Sequence, residues 1–209
     1  MCSRVLVACE ESQEVCKAFR ALGHEAYSCD IVPCSGGHPE WHLQVDALEL
    51  LKLKWDLIIA HPPCTYLSKA GGNRLRINGE IQEKRFAKGR LAKDFFMEFY
   101  NADCPKIAVE NPIPLKIFGL PLYSQIIQPY MFGDPWMKTT CLWLKGLPIL
   151  MADDIVVPEY KWVNSTDHRK NKKMDTWQTA GARSQKDRSK TAPGIARAMA
   201  QQWGGLLLH

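Results

Sequence analysis

Two short motifs carry residue types able to do covalent chemistry. The first is His61-Pro62-Pro63-Cys64, at the end of the apolar run Leu57-Ile58-Ile59-Ala60. Paired prolines stop a strand abruptly, because each ring removes a backbone donor and fixes φ. They leave a thiol at the strand's carboxyl end, where a thiolate can act as a nucleophile. A loop or helix N-terminus just after it could lower its pKa. The second motif is Glu110-Asn111-Pro112, which follows the apolar run Lys106-Ile107-Ala108-Val109. In open α/β sheets ligands bind outside the carboxyl ends of the strands, so these two ends can share one active site. An isolated Pro-Pro-Cys fits a structural turn equally well; the strand context and the Glu-Asn-Pro motif tilt it towards chemistry.

The first strand-turn-helix, Val7-Ala8-Cys9-Glu10-Glu11-Ser12-Gln13, has neither the Gly-x-Gly-x-x-Gly pattern nor a P-loop. Close backbone approach to phosphates wants those glycines, so a dinucleotide or a triphosphate is disfavoured. Asp30 falls about 20 residues after that turn, where an acid can hydrogen-bond ribose hydroxyls. Asp46 is a second acid at a loop edge. Together they suit the ribose and exocyclic amine of S-adenosylmethionine, while each alone also fits a surface or capping acid. Cys29, Cys34, His38 and His42 are residue types that suit zinc. Cys29 falls in a buried strand pattern, however, and a histidine-bearing surface loop is the favoured reading, with no metal expected.

These groups need a scaffold, and the patterning supplies one. Strand signals at residues 4–9, 25–31, 56–61 and 106–110 alternate with helical ones, which predicts an α/β fold with a mostly parallel sheet and helices on both faces. Ser12 is the expected cap of the first helix, whose apolar positions are Val15, Phe19 and Leu22, and Gly23 stops it. A short helix is expected at residues 47–53 and a long one at 81–101. Residues 65–79 read as a long mobile loop directly after Cys64. Strand-like pieces fall at residues 130–132 and 140–144, and a final helix at 193–203. Residues 1–150 form the expected core, 151–188 a short basic insertion, and 189–209 a return to the core.

The chain of 209 residues is 46% hydrophobic and 23% charged, as expected of a globular domain. No run approaches the ~20 apolar residues that span a bilayer, and the N-terminus lacks signal-peptide features. A cytoplasmic protein with no membrane partner is expected. Its eight cysteines are scattered; Cys9, Cys104 and Cys141 read as small buried hydrophobes rather than a disulfide framework. The net charge of +5 is mild. It is concentrated near residues 84–93, 169–173 and 183–190, which suits a polyanion as well as a solvated surface.

Taken in order, the motifs resemble those of the DNA (cytosine-5) methyltransferase family, in a small, phage-type form, over residues 5–146 and again near the C-terminus. Pro62-Pro63-Cys64 and Glu110-Asn111-Pro112 are similar to the family's Pro-Cys and Glu-Asn motifs. Gln128-Pro129-Tyr130-Met131-Phe132-Gly133 with Lys138-Thr139-Thr140 resembles the strand motif after them, and residues 189–200 the last one. The resemblance implies a Rossmann-like, S-adenosylmethionine-dependent methyltransferase fold and methylation of cytosine carbon 5 in DNA through a cysteine adduct. It implies that Cys64, Glu110 and Lys138 are catalytic. It places Cys9, Glu10, Asp30, Ile31, Asp46, Ala47, His61, Pro62 and Thr191 around the cofactor. It places Pro63, Ser68, Asn111, Pro112, Arg74, Arg76, Lys170, Lys172 and Lys173 around the nucleic acid.

The chain departs from the family pattern at four points, one of them Glu110-Asn111-Pro112 where the family has Glu-Asn-Val. Ala8-Cys9-Glu10-Glu11-Ser12 stands where the family has Phe-x-Gly-x-Gly, and Lys138 with two threonines where it has two arginines. The region between residues 150 and 176 is far shorter than the family's target-recognition region. The same chemistry on single-stranded nucleic acid, RNA or a free nucleotide therefore stays open, as does a cofactor-binding module without turnover. An amino-group methyltransferase fits less well, since Cys64 stands where that chemistry wants an aromatic ring.

Overall fold

The computed structural model describes residues 3–167, 172–179 and 190–207. One sheet contains β1 Arg4–Ala8, β2 Glu25–Cys29, β3 His42–Leu43, β4 Leu57–Ala60, β7 Ile107–Asn111, β8 Gln125–Ile127 and β9 Thr140–Lys145. These seven strands lie in the order β3-β2-β1-β4-β7-β9-β8. The five strands from β3 to β7 are parallel. β9 runs antiparallel to both β7 and β8. The order reverses on either side of β1, which opens a crevice between the carboxyl ends of β1 and β4. The arrangement is α/β and Rossmann-like.

Alternation along the strands builds two cores. Val5 and Val7 of β1, with Leu57 and Ile59 of β4, pack on α1 (Glu14–Ala21) and α4 (Pro193–Gly204). Leu6, Ala8, Ile58 and Ala60 face the other way, towards α2 (Ala47–Leu50) and α3 (Glu83–Tyr100). Period-two strands buried on both faces read as continuous apolar runs, which is why the sequence pattern located them. Trp203 and Phe19 are fully buried on the first face, Phe96 and Phe99 on the second.

Several local expectations are corrected. Ser12 does not cap α1. Both carboxylate oxygens of Glu10 do so, accepting from Val15 N at 2.6 Å and Cys16 N at 3.2 Å. The N-cap residue is Gln13, in a left-handed conformation without a side-chain cap of its own. Leu22 lies past the helix and is 50% exposed. Residues 130–132 are not a strand: Pro129–Met131 is a 3-10 turn, as a proline in its first turn favours, and β8 comes just before it. Residues 65–79 are built rather than a featureless loop. They hold a 3-10 turn, Lys69–Arg74, and half of a small hairpin of β5 (Arg76–Ile77) and β6 (Glu80–Ile81). Asn78 and Gly79 make its turn with positive φ, as a two-residue hairpin demands. Leu115 N donates to Leu67 O and Lys69 N to Ile113 O, so the segment is tied to the chain after β7.

In the stretch expected as a basic insertion, β10 (Tyr160–Asp167) and β11 (Lys172–Thr179) form an antiparallel hairpin. No helix among the described residues is long and apolar enough to cross a membrane.

Candidate active site

Cys64 follows β4 by four residues, and its carbonyl accepts from Leu67 N and Ser68 N, which closes a tight turn around it. Pro62 is buried beneath that turn and Pro63 is exposed. Glu110 lies on β7, the strand next to β4. Lys138 reaches the same place from the turn before β9. Its backbone N–H donates to Gln128 Oε1, and its ammonium donates to Lys190 O at 3.0 Å. That last bond brings Thr191, which is buried, in from the start of α4. Gly194 seals this junction: its N–H donates to Asp134 Oδ2, and its Cα lies so close to Phe132 O that a Cβ has no room.

The three groups are electrostatically coupled. Burial pushes the Cys64 thiol up, Glu110 adds to the rise, and Lys138 opposes it. The turn after Cys64 therefore does not bring the thiol down: burial and the Glu110 carboxylate outweigh Lys138. Burial alone would also raise the Glu110 carboxyl, but Lys138 and His61 outweigh it and bring it down to about 2. Glu110 is therefore ionised at neutral pH. His61 Nδ1 lies 3.7 Å from Glu110 Oε2, with the two side chains only 10% and 13% exposed.

Beside this cluster, across the β1–β4 crevice, lies a second group. His61 N donates to Ala8 O, so Cys9 and Glu10 sit next to His61. Cys9 has φ 58° and is partly buried against the second core, close to the small buried hydrophobe expected. Its thiol is pushed up by burial, and Asp30, Cys29 and Asp46 add to the rise. Asp30 and Asp46, 16 positions apart in the chain, therefore both lie near enough to Cys9 to act on its thiol. Asp30 Oδ1 accepts from Val32 N. Asp46 Oδ1 accepts from Leu48 N and caps α2, the structural role that the sequence also allowed. Ile31, beside Asp30, is 73% exposed at this edge, whereas Ala47 is buried. The exposed Ile31 side chain offers a flat ring a contact face, with the Asp30 carboxylate next to it in the chain.

The remaining sites disperse more widely. Ser68 is buried, and Arg74 and Arg76 are exposed on the segment after Cys64. Asn111 is buried; its amide donates to Pro112 O, and its Oδ1 is left without a partner. Lys172 and Lys173 are on β11, and Lys170 lies outside the described residues. The cysteines and histidines at 29–42 do not converge. Cys29 Sγ donates to Val45 O, His38 stacks on Trp41, and His42 bonds Ser28 and Val32. Among the described residues no three metal-ligating side chains share a site.

Sequence reasoning missed two features. Glu10 as the cap of α1 was hidden because its carboxylate reaches five and six residues ahead, outside the usual capping offsets. His61 as the neighbour of Glu110 was hidden because the contact crosses between strands.

The fold and the site define an α/β domain with two acids near Cys9 and, beside them, a partly buried thiol, carboxylate and ammonium. No model of a known protein family matches the chain, and no curated protein does.

Proposed function

We propose that this protein transfers a methyl group from S-adenosylmethionine to carbon 5 of cytosine in nucleic acid, with DNA as the expected polymer. The observation that carries the reading is the convergence of Cys64, Glu110 and Lys138 from three separate segments, with Glu110 and Lys138 close enough to act on the Cys64 thiol and Lys138 on the Glu110 carboxyl. Asp30, Asp46 and the exposed Ile31 suit the ribose, amine and ring face of the cofactor. Glu10 occupies the N-terminus of α1, where an external phosphate would otherwise bind, which fits a cofactor without phosphates.

Bound S-adenosylmethionine supplies an electrophilic methyl group. The Cys64 sulfur adds to carbon 6 of cytosine, and its proton passes by way of the Glu110 carboxylate to ring nitrogen N3. The C5–C6 π electrons shift to C4–C5 as N3 takes the proton, leaving a C4–C5 enamine that is nucleophilic at carbon 5. Glu110 also accepts from the exocyclic amine, and Lys138 offsets the charge left on the carboxylate. After methylation, water takes the carbon 5 proton, the C5–C6 double bond re-forms as the C6–S bond breaks, and the N3 proton returns by way of Glu110 to the Cys64 sulfur. The scheme is covalent catalysis with electrostatic support. A base in a duplex must first be flipped out, at a cost of a few kcal/mol.

The test is incubation with labelled S-adenosylmethionine and a panel of duplex DNA, single strands, RNA and nucleotides, followed by nucleoside mass spectrometry. Substrates carrying 5-fluorocytosine should trap a covalent adduct. No adduct and no 5-methylcytosine on any member would overturn the proposal.

A further inference from the structure

His61 lies between two buried carboxylates that belong to different halves of the sheet edge. Its Nδ1 is 3.7 Å from Glu110 Oε2. On the other side Glu10, 4% exposed and bonded to the first amides of α1, interacts with it electrostatically. His61 Nε2 is buried without a partner. A neutral imidazole has one donor and one acceptor nitrogen, so a carboxylate facing Nδ1 selects the tautomer with its proton there. Two short β-strands set this geometry: His61 leaves β4 with its N–H bonded to Ala8 O of β1, and β7 lies in register on β4's far side.

We propose that His61 is the positioning residue for Glu110: it presents Nδ1–H to Oε2 and so holds the carboxylate towards the amine and N3 of the bound base. The role in methyl transfer rests on the function proposed above; the positioning itself does not. The distance is longer than a hydrogen bond, and closure over a base would shorten it, since such contacts often tighten only in the reacting complex. The charged and titratable groups around Glu110 are Lys138 before β9, Cys64 after β4, Cys141 on β9 and His61. Among the described residues in this set, His61 is the one whose donor is held by the strand framework on both sides.

The experiment is a carbon-13 NMR titration of the Glu110 side-chain carboxyl, with Glu110→Gln used to assign the signal. It compares the wild type with His61→Leu, His61→Phe and His61→Asn. Leu and Phe remove the donor, whereas Asn carries one close to the Nδ1 position. The expected result is a rise in the Glu110 midpoint by about one pH unit or more in the Leu and Phe variants, and little change in the Asn variant. In adduct formation with 5-fluorocytosine substrates, the Leu and Phe variants should lose about tenfold or more in rate with KM nearly unchanged. The acid limb of their pH profile should move with the NMR midpoint, and Asn should restore most of both. An unmoved midpoint in whichever donor-lacking variant folds would overturn the positioning role. A midpoint that moves in a protein whose wild type traps no substrate would uphold the positioning and remove the methyl-transfer reading instead.

Discussion

Glu10 and Glu110 are both buried carboxylates at the carboxyl edge of one sheet, and they ionise in opposite senses. Glu10, on the β1 side, accepts two backbone amides and feels His61, yet burial dominates and pushes it up to about 7. Glu110, on the β7 side, has His61 and the Lys138 ammonium, and these bring it down to about 2. A full positive charge nearby reverses a desolvation penalty that two amide dipoles do not. The β1 side thus spends its carboxylate on closing a helix, whereas the β7 side keeps one charged and near the Cys64 thiol. The two thiols follow the same contrast. Cys9 is flanked by acids alone, whereas Cys64 has Lys138 to oppose Glu110.

If the β4–β7–β9 half is the chemical half, its residues should control rate and leave cofactor affinity alone. Cys64→Ser should abolish both 5-fluorocytosine adduct and turnover, while calorimetry still detects cofactor binding. Persistent methylation would move the nucleophile elsewhere. Glu110→Gln should cost on the order of 10²-fold or more in kcat, as removal of a transition-state partner does.

The contrast between the glutamates also makes a stability prediction. Glu10 is raised when folded, so its contribution is fully present below the ordinary glutamate range and is lost as pH rises through about 7. Urea unfolding should therefore show stability falling by up to about 3 kcal/mol from this group as pH rises from about 4.5 to 8. Glu10→Gln should flatten that slope. Glu110 is lowered when folded, so its contribution is present above the ordinary range and is lost as pH falls towards 2. Glu110→Gln should flatten only this acid limb. Identical slopes in the two variants would erase the distinction.

On the β1–β2–β3 half the effects should be smaller and confined to binding. Asp30→Ala should weaken S-adenosylmethionine about tenfold by calorimetry, as loss of a charged hydrogen bond does, with kcat at saturation unchanged. A loss in kcat alone would assign Asp30 to the other half. Smallest of all, Arg74→Ala with Arg76→Ala should lower affinity for nucleic acid and flatten its salt slope by about 0.7–0.9 for each phosphate no longer neutralised. An unchanged slope would make them ordinary surface residues.

Much of the scaffold was legible in the chain. Apolar runs such as Leu57–Ala60 and Ile107–Asn111 are buried on both faces, so their composition announces them. The spacing of Ile195, Met199 and Trp203 likewise announced α4. Local chemistry was less legible where a distant group competes. Ser12 has the composition of a cap, but the Glu10 carboxylate takes the amides of α1. Residues 65–79 have the composition of a featureless loop because the bonds that order them come from Ile113, Leu115 and Arg85, all outside the segment.

By itself the sequence determined the residue types at each strand end, the α/β rhythm and the absence of a glycine-rich phosphate loop. These depend on local stereochemistry and on period, which a linear chain displays. Tertiary structure alone decided the ionisation of those residues. Whether a carboxyl sits near 2 or near 7 depends on burial and on which charge the neighbouring strand carries. Pairing β4 with both β1 and β7 put His61 between two glutamates separated by 100 positions in the chain, a distance in sequence that no local pattern can signal.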